Sequence, residues 1–140
     1  MAVLGLDVGE RRIGIAVSDP TETYALPLRV LERGALRADL SQIVEIAGEY
    51  GAATIVVGDP IRLSGERGIA ARGIDGFCSA LARVYAGEIA RVDERLTTAQ
   101  ATRALIDADV SRSRRRAVVD RNAAALILES FLARRRARGL

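Results

Sequence analysis

Several residue types that carry common enzyme chemistry are missing from this chain. It has no histidine, no lysine and no tryptophan, and Cys78 is its single cysteine. Without histidine there is no imidazole base, no Ser-His pair and no histidine-ligated zinc. A lone cysteine also excludes an internal disulfide and a cysteine-rich metal site. The chemistry that remains uses carboxylates, hydroxyls, arginine or a hard metal ion held by oxygen ligands.

Long apolar runs are missing as well. No segment approaches the roughly 20 apolar residues that a membrane span requires. The first apolar run is interrupted by Asp7, and no basic region precedes it as in a signal peptide. We therefore expect a cytoplasmic protein. Cys78 shares a helical face with Ile74, Leu81 and Tyr85, which predicts a small core residue; a reactive thiol is the alternative.

The positive charge is concentrated near the end of the chain. All 21 basic residues are arginine. Residues 1–110 contain 12 arginines and 16 acids, whereas residues 111–140 contain 9 arginines and 2 acids. Such a basic segment is typical of a surface that binds a polyanion, although a basic tail can also be only a solvent-exposed face.

The order of apolar patterns predicts one α/β domain covering residues 1–140. Strands are predicted at Ala2–Val8, Ile13–Ser18, near Leu26–Leu31, in "ATIVVG" and in "EIARV". Helices are predicted from Leu36 to a stop at Gly51, from Ile69 to Tyr85, from Thr97 to about Asp107, and from Val118 to about Arg136. "SRSRRR" is interpreted as a polar, basic connector before the last helix.

Three acids occupy positions that local propensity does not favour. Asp7 lies inside an apolar strand, where an unpaired carboxylate is costly. It either makes a local contact with the following "GERR" turn, through Arg11 or Arg12, or serves a function. Glu94 follows the "EIARV" strand beside Asp93; the pair either starts a loop or lies at a ligand site. Alternation along a strand would let only one of the two face a shared site.

Asp120 is the third acid. At about 100° per residue, it shares the apolar stripe of the last helix with Ala123, Ala124, Ile127 and Phe131. The alternative is that Asp120 only caps the start of this helix. Acids gathered in one pocket repel one another unless a cation lies between them, and Mg²⁺ or Mn²⁺ prefers carboxylate and water ligands. Two such ions about 4 Å apart can cleave a phosphodiester without histidine or cysteine.

Four blocks in this chain resemble those of the YqgF/RuvX family: "LDVGERRIGIAVSD", "VVGDP" followed by "SG", "DERLTT" and "VDRNAAALIL". The resemblance implies a RuvC-like, RNase H-like fold: a five-stranded mixed sheet, with three antiparallel N-terminal strands and then parallel strands, flanked by helices. It also implies nuclease activity on Holliday junctions or pre-16S rRNA. The family's acidic site maps onto Asp7, Glu94 and Asp120, which would be both the catalytic residues and the ligands of Mg²⁺ or Mn²⁺.

The leading hypothesis is therefore a metal-dependent nuclease acting on branched DNA or an rRNA precursor, with a homodimer suited to a four-way junction. The arginines expected to contact nucleic acid are Arg12, Arg95, Arg112, Arg114, Arg115 and Arg116; for Arg95 the alternative is an ion pair with a neighbouring acid. The family loop usually reads Gly-Leu-Pro, and this chain has Asp59 in place of the leucine. Asp59 is either a further metal or water contact or a neutral change at the surface, and we favour the neutral change. The alternatives are a nucleic-acid-binding module without catalysis, and a phosphotransferase of the actin-like or sugar-kinase type, which 140 residues are too few to build.

Overall fold

The structure, a computed structural model, describes residues 2–60, 68–93 and 112–138, and gives the backbone alone for residues 69–70 and 112–122. Its strands are β1 (Val3–Val8), β2 (Arg12–Ser18), β3 (Ala25–Glu32), β4 (Thr54–Asp59) and β5 (Glu88–Asp93). The described helices are α1 (Leu36–Tyr50), α2 (Ile69–Val84) and α3 (Arg112–Ala137). Each predicted strand is present to within one residue at either end. The helix predicted between Thr97 and Asp107 lies outside the described residues.

The described strands form one mixed sheet in the order β3-β2-β1-β4-β5. The β1–β2 and β2–β3 pairs are antiparallel, and β1, β4 and β5 are parallel. This confirms the expected five-stranded architecture. Because parallel strands end at the same edge of a sheet, the last residues of β1, β4 and β5 lie at that edge.

Helices cover both faces of the sheet. Leu4 and Leu6 of β1 point to the face that packs against α1 and α2, with Ile43 and Leu81 fully buried among them. Val3 points to the other face, where Leu128 and Leu132 of α3 complete a second core. A strand buried on both faces needs apolar residues at consecutive positions, which is the pattern of "VLGL". Asp7 is the exception in β1.

Gly5 allows α3 to lie close against β1. A Cβ on Gly5 would be 2.9 Å from the carbonyl oxygen of Ala124 and 2.9 Å from Cβ of Leu128. Both distances are shorter than real Cβ contacts, and the first involves backbone. The absence of a side chain at residue 5 therefore sets the distance between the first strand and the last helix.

The last helix begins earlier than the sequence pattern predicted. It starts at Arg112, so the interpretation of "SRSRRR" as a connector is wrong. The segment contains no glycine or proline, and arginine is among the better helix formers, so the run of like charge does not end the helix. By contrast, α1 ends as predicted at Gly51, whose φ of 63° is left-handed.

Cys78 is a core residue, as expected. It is 6% exposed and belongs to the cluster beneath α2. Burial raises the pKa of its thiol, which keeps it protonated and poorly nucleophilic. None of the described helices is long and apolar enough to span a bilayer.

Candidate active site

Asp7 lies on the α3 face of the sheet, beside positions without side chains. On one side, its register partner is Gly14 of β2. On the other side, Leu6 pairs with Val57 of β4, so the next residue of β4, Gly58, follows alongside Asp7. A Cβ on Gly14 would be 3.7 Å from Cβ of Asp7 and 3.6 Å from Cβ of Ala124. Asp7 is therefore a half-buried residue beside two glycines, and Ala124 of α3 lies next to the same Gly14.

The backbone of α3 brings Asp120 to this end of the sheet. Residue 120 lies one helical turn before Ala124, so the two positions share a helix face. Because α3 begins at Arg112, Asp120 lies well inside the helix and cannot be its N-cap, which removes the capping alternative. The side chain of Asp120 lies outside the described part of the structure.

β5 ends beside the same site. Glu94 itself lies outside the described residues, but the preceding Asp93 is the last residue of β5 and pairs with Asp59 of β4. Val92 belongs to the core on the α3 face. Since side chains alternate along a strand, Asp93 points to the opposite face, towards α2.

Asp59 is a buried residue, so the interpretation as a neutral surface change is wrong. It is 6% exposed, and its Oδ2 lies 3.8 Å from Nη1 of Arg91. The same Arg91 nitrogen lies 2.5 Å from Oδ1 of Asp75 in α2, and this hydrogen bond raises the pKa of the guanidinium. Asp59 therefore belongs to an ion-pair cluster on the α2 face, on the other side of the sheet from Asp7.

The turn after Asp7 is held by Arg33, which sequence reasoning did not single out. Nη1 of Arg33 donates a hydrogen bond to the carbonyl oxygen of Gly9 (2.9 Å). Nε of Arg33 lies 3.7 Å from Oδ2 of Asp39, a residue that is only 1% exposed. Oδ1 of the same carboxylate accepts a hydrogen bond from the N–H of Gly34 at 3.0 Å. The guanidinium lies 6.0 Å from the ring centre of Phe77. The only signal in the sequence was an acid in the first turn of α1 without an obvious partner.

Replacing Arg33 with methionine is expected to destabilise the protein by about 1–3 kcal/mol, because it leaves the carboxylate of Asp39 buried without its cation. Chemical denaturation measures this loss. Replacing Asp39 with asparagine in the same chain should restore part of it, since no buried charge then remains. The exposed pair Arg12–Glu32 is the control; its arginine-to-methionine change should cost about 0–1 kcal/mol. Equal losses at the two arginines would contradict this assignment.

Arg12 lies on the site's face of the sheet but at its surface. It precedes the core residue Ile13 in β2, and strand alternation places it on the α3 face with Gly14. Its Nε lies 3.2 Å from Oε1 of Glu32, and the two side chains are 70% and 77% exposed. Arg95 lies outside the described residues. The backbone positions Arg112, Arg114, Arg115 and Arg116 fall in the first turns of α3, without described side chains.

Of the three predicted acids, Asp7 is the one whose side chain the structure describes. Among the described residues, no group of three acids, cysteines or histidines could hold a metal ion. Of the candidate ligands, the structure describes the side chain of Asp7, the helical position of Asp120, and the strand that ends immediately before Glu94.

Comparison with known proteins identifies the family. The family model described as "RuvX: Holliday junction resolvase" matches residues 1–134. The chain belongs to the RuvX family. Among RuvX relatives, a protein of Symbiobacterium thermophilum is 44% identical over 138 residues, covering 99% of this chain and 96% of that one. A protein of Desulforudis audaxviator is 44% identical over 132 residues, covering 94% of each. Both are named "Putative pre-16S rRNA nuclease".

The RuvX chain also shares its fold with a solved resolvase structure. The structure "T. thermophilus RuvC in complex with Holliday junction substrate" superposes with a TM-score of 0.56 at 17% identity, covering 96% of this chain and 95% of that one. At this identity the likeness concerns the fold alone, and it confirms the RuvC-like, RNase H-like architecture expected from the sequence. The family match and the relatives identify the chain as a member of a nuclease family.

Proposed function

We propose that this RuvX chain hydrolyses phosphodiester bonds in structured nucleic acid, using Mg²⁺ or Mn²⁺ held by Asp7, Glu94 and Asp120. The observation that carries the proposal is the position of Asp7 at the edge where the parallel strands end, facing α3 one turn from residue 120. Alternation along β5 predicts that residue 94 returns to the face of Val92, which is also the face of Asp7.

The surroundings of Asp7 suit a hard cation. The candidate donors are carboxylate oxygens, the ligand type that Mg²⁺ and Mn²⁺ prefer. Gly14, the register partner of Asp7, and Ala124 of α3 are the small residues beside it. A pair of such ions would supply an activated water and stabilise the departing oxygen.

The chain's own residues would orient the substrate around that centre. Arg12, exposed on the same face as Asp7, would contact a phosphate of the substrate backbone after exchanging its partner Glu32. The side chains of Arg95 and of the arginines at 112–116 would add non-specific affinity of the same kind. Arg33 would act indirectly, by fixing the carbonyl of Gly9 and therefore the turn that follows Asp7.

The identity of the substrate, DNA or RNA, is also part of the proposal. The names of the relatives favour an rRNA precursor, and the family description favours a DNA junction. We place the chain in the cytoplasm, where it would act on either substrate. A junction has paired cleavage points, so a homodimer would suit junction cleavage, whereas trimming one RNA end requires only one copy.

Metal removal tests the proposal directly. Wild-type protein should cleave four-way junction DNA or precursor 16S rRNA with Mg²⁺ or Mn²⁺, and cleavage should stop in excess EDTA and return when Mn²⁺ is restored. Symmetric nicks in the junction would identify a resolvase, and shortening of one RNA end would identify a processing enzyme. Cleavage that continues in EDTA would contradict the proposal. Salt-sensitive binding without turnover in either metal would instead identify a binding module.

A further inference from the structure

The turn between β2 and β3 is an ordered structure at the edge of the sheet opposite the candidate active site. The carboxylate of Asp19 accepts the backbone N–H groups of Thr21 (3.2 Å), Thr23 (2.8 Å) and Tyr24 (2.6 Å), and it also accepts the hydroxyl of Thr21. These bonds, the Thr21 hydroxyl first, lower the pKa of Asp19 to about 2. Glu22 takes a left-handed φ of 59° within the turn. At neutral pH the Asp19 carboxylate is therefore ionised and accepts these four hydrogen bonds.

The end of α3 fastens this turn in place. Nη1 of Arg136 donates to the carbonyl oxygen of Thr23 at 3.1 Å, and Nη1 of Arg135 lies 3.5 Å from Oε1 of Glu22. The Arg135 guanidinium also lies over the ring of Phe131, 5.3 Å from its centre. Despite this support, Tyr24 is the most exposed large hydrophobic side chain of the described residues, at 68%. A hydrogen-bonded turn thus presents an aromatic ring to solvent.

Tyr24 lines a cavity of about 540 Å³ between the turn and α3. Its apolar lining comes from Leu126 and Ala133, and Glu129, Ser130 and Arg136 add acceptors and donors. An aromatic ring, an arginine and a few polar groups around a small cavity are the elements with which proteins bind unstacked bases. The carboxylate of Glu129 disfavours a phosphate there and suits the amino edge of a base.

The cavity also lies on the same face as the candidate active site. From Ala124, near Asp7, to Arg136 at the cavity is 12 residues of α3, or about 18 Å. Val30 of β3 pairs with Gly14, the partner of Asp7, and is 53% exposed. β3 therefore connects the two places, from Val30 at one end to the turn that carries Tyr24 at the other. Arg134, Arg136 and Arg138 are exposed at the end of this path and supply positive charge for a phosphate backbone.

We propose that this cavity, called here the Tyr24 cavity, binds one unpaired nucleobase of the substrate strand a few nucleotides from the phosphate at Asp7. The base stacks on Tyr24, and Glu129 and Ser130 contact its edge. This inference rests on the proposed function, because it assumes that the substrate strand also reaches Asp7. It deepens that function by requiring a single-stranded segment next to the cleaved bond.

Binding in EDTA, where no cleavage occurs, tests the inference. The probes are fluorescently labelled DNA and RNA duplexes, each with and without a single-stranded tail, measured by fluorescence anisotropy. Tyr24→Ala should weaken binding of the tailed duplexes at least about fivefold, the value of one lost base stack, and should leave the blunt duplexes unchanged. Tyr24→Phe keeps the ring and should bind like wild type. Ala133→Phe fills the cavity and should weaken tailed binding as Tyr24→Ala does.

Tyr50→Ala is the matched control, because Tyr50 is also exposed (41%) but lies at the end of α1. It should change neither probe. Equal losses for tailed and blunt duplexes, wild-type binding by Tyr24→Ala, or the same loss in Tyr50→Ala would each overturn the inference. If wild type cleaves with Mn²⁺ while Tyr24→Ala binds tails normally, only the Tyr24 cavity fails. If wild type binds no probe and cleaves nothing, the proposed function fails as well.

Discussion

Asp7→Asn is expected to reduce phosphodiester cleavage at least about a hundredfold, with little change in folding. Asparagine keeps the size of the side chain but removes the charge, and a neutral amide is a poor ligand for Mg²⁺ or Mn²⁺ beside other carboxylates. Loss of even an outer partner of a metal ligand costs about 10–100-fold, so loss of a ligand should cost more. The measurement is initial cleavage rate on junction DNA and precursor rRNA with saturating Mn²⁺.

Glu94→Gln and Asp120→Asn should give losses similar to that of Asp7→Asn, because the three acids are proposed to act as one unit. Asp93→Asn is the matched control. Asp93 is adjacent to Glu94, but it is the register partner of Asp59 in β4, and strand alternation directs it to the α2 face. Its replacement should leave the cleavage rate close to that of wild type. A loss at Asp93 as large as that at Glu94 would contradict the alternation argument, and wild-type turnover by Asp7→Asn would contradict the metal assignment.

Nucleic-acid binding separates these variants from misfolded ones. In EDTA, the Asp7 carboxylate repels the phosphates of the substrate, so Asp7→Asn should bind tailed duplexes as well as wild type or more tightly. Asp7→Asn is therefore expected to lose cleavage but not binding, whereas at Tyr24 the expected loss is in binding. Loss of both in Asp7→Asn, with a lower melting temperature, would show that the residue has a structural role instead.

The strands could be predicted because the apolar residues that each strand buries are neighbours in the sequence. Consecutive apolar residues in "VLGL" and "ATIVV" meet the demands of a sheet covered on both faces, and the structure places both strands in the centre. Asp7 was noticeable in the sequence for the same reason. It is a charge in a pattern that otherwise has none, next to the last residue of β1.

Other features depended on contacts between distant residues. Asp59 looked like a surface change because its partner, Arg91, is 32 positions away in the next strand. The start of α3 was predicted too late because the run of arginines resembles a connector. The run contains no glycine or proline, the residues that most disfavour a helix. The Tyr24 cavity joins residues more than 100 positions apart, and an exposed tyrosine after a turn gave no sign of it.

A large effect on stability is also expected where Gly5 of β1 lies against α3. Gly5→Ala is expected to destabilise the protein by about 1–3 kcal/mol, because the new methyl would overlap the carbonyl oxygen of Ala124 and Cβ of Leu128. Neither group can move without shifting α3 away from β1. Urea denaturation measures the change, and an unchanged slope with a lower midpoint would show that the native state alone is affected.

Gly76→Ala is the matched control for that substitution. Gly76 lies in α2 with no atom within 4 Å of a Cβ built on it, so alanine there should stabilise the helix by about 0.5–1 kcal/mol. The same chemical change should therefore have opposite signs at the two positions. Gly5→Ala should also lower the cleavage rate under conditions where it is fully folded, because α3 carries Asp120 and the shift would separate it from Asp7. A Gly5→Ala protein as stable and as active as wild type would show that the spacing of β1 and α3 does not hold the acidic site together.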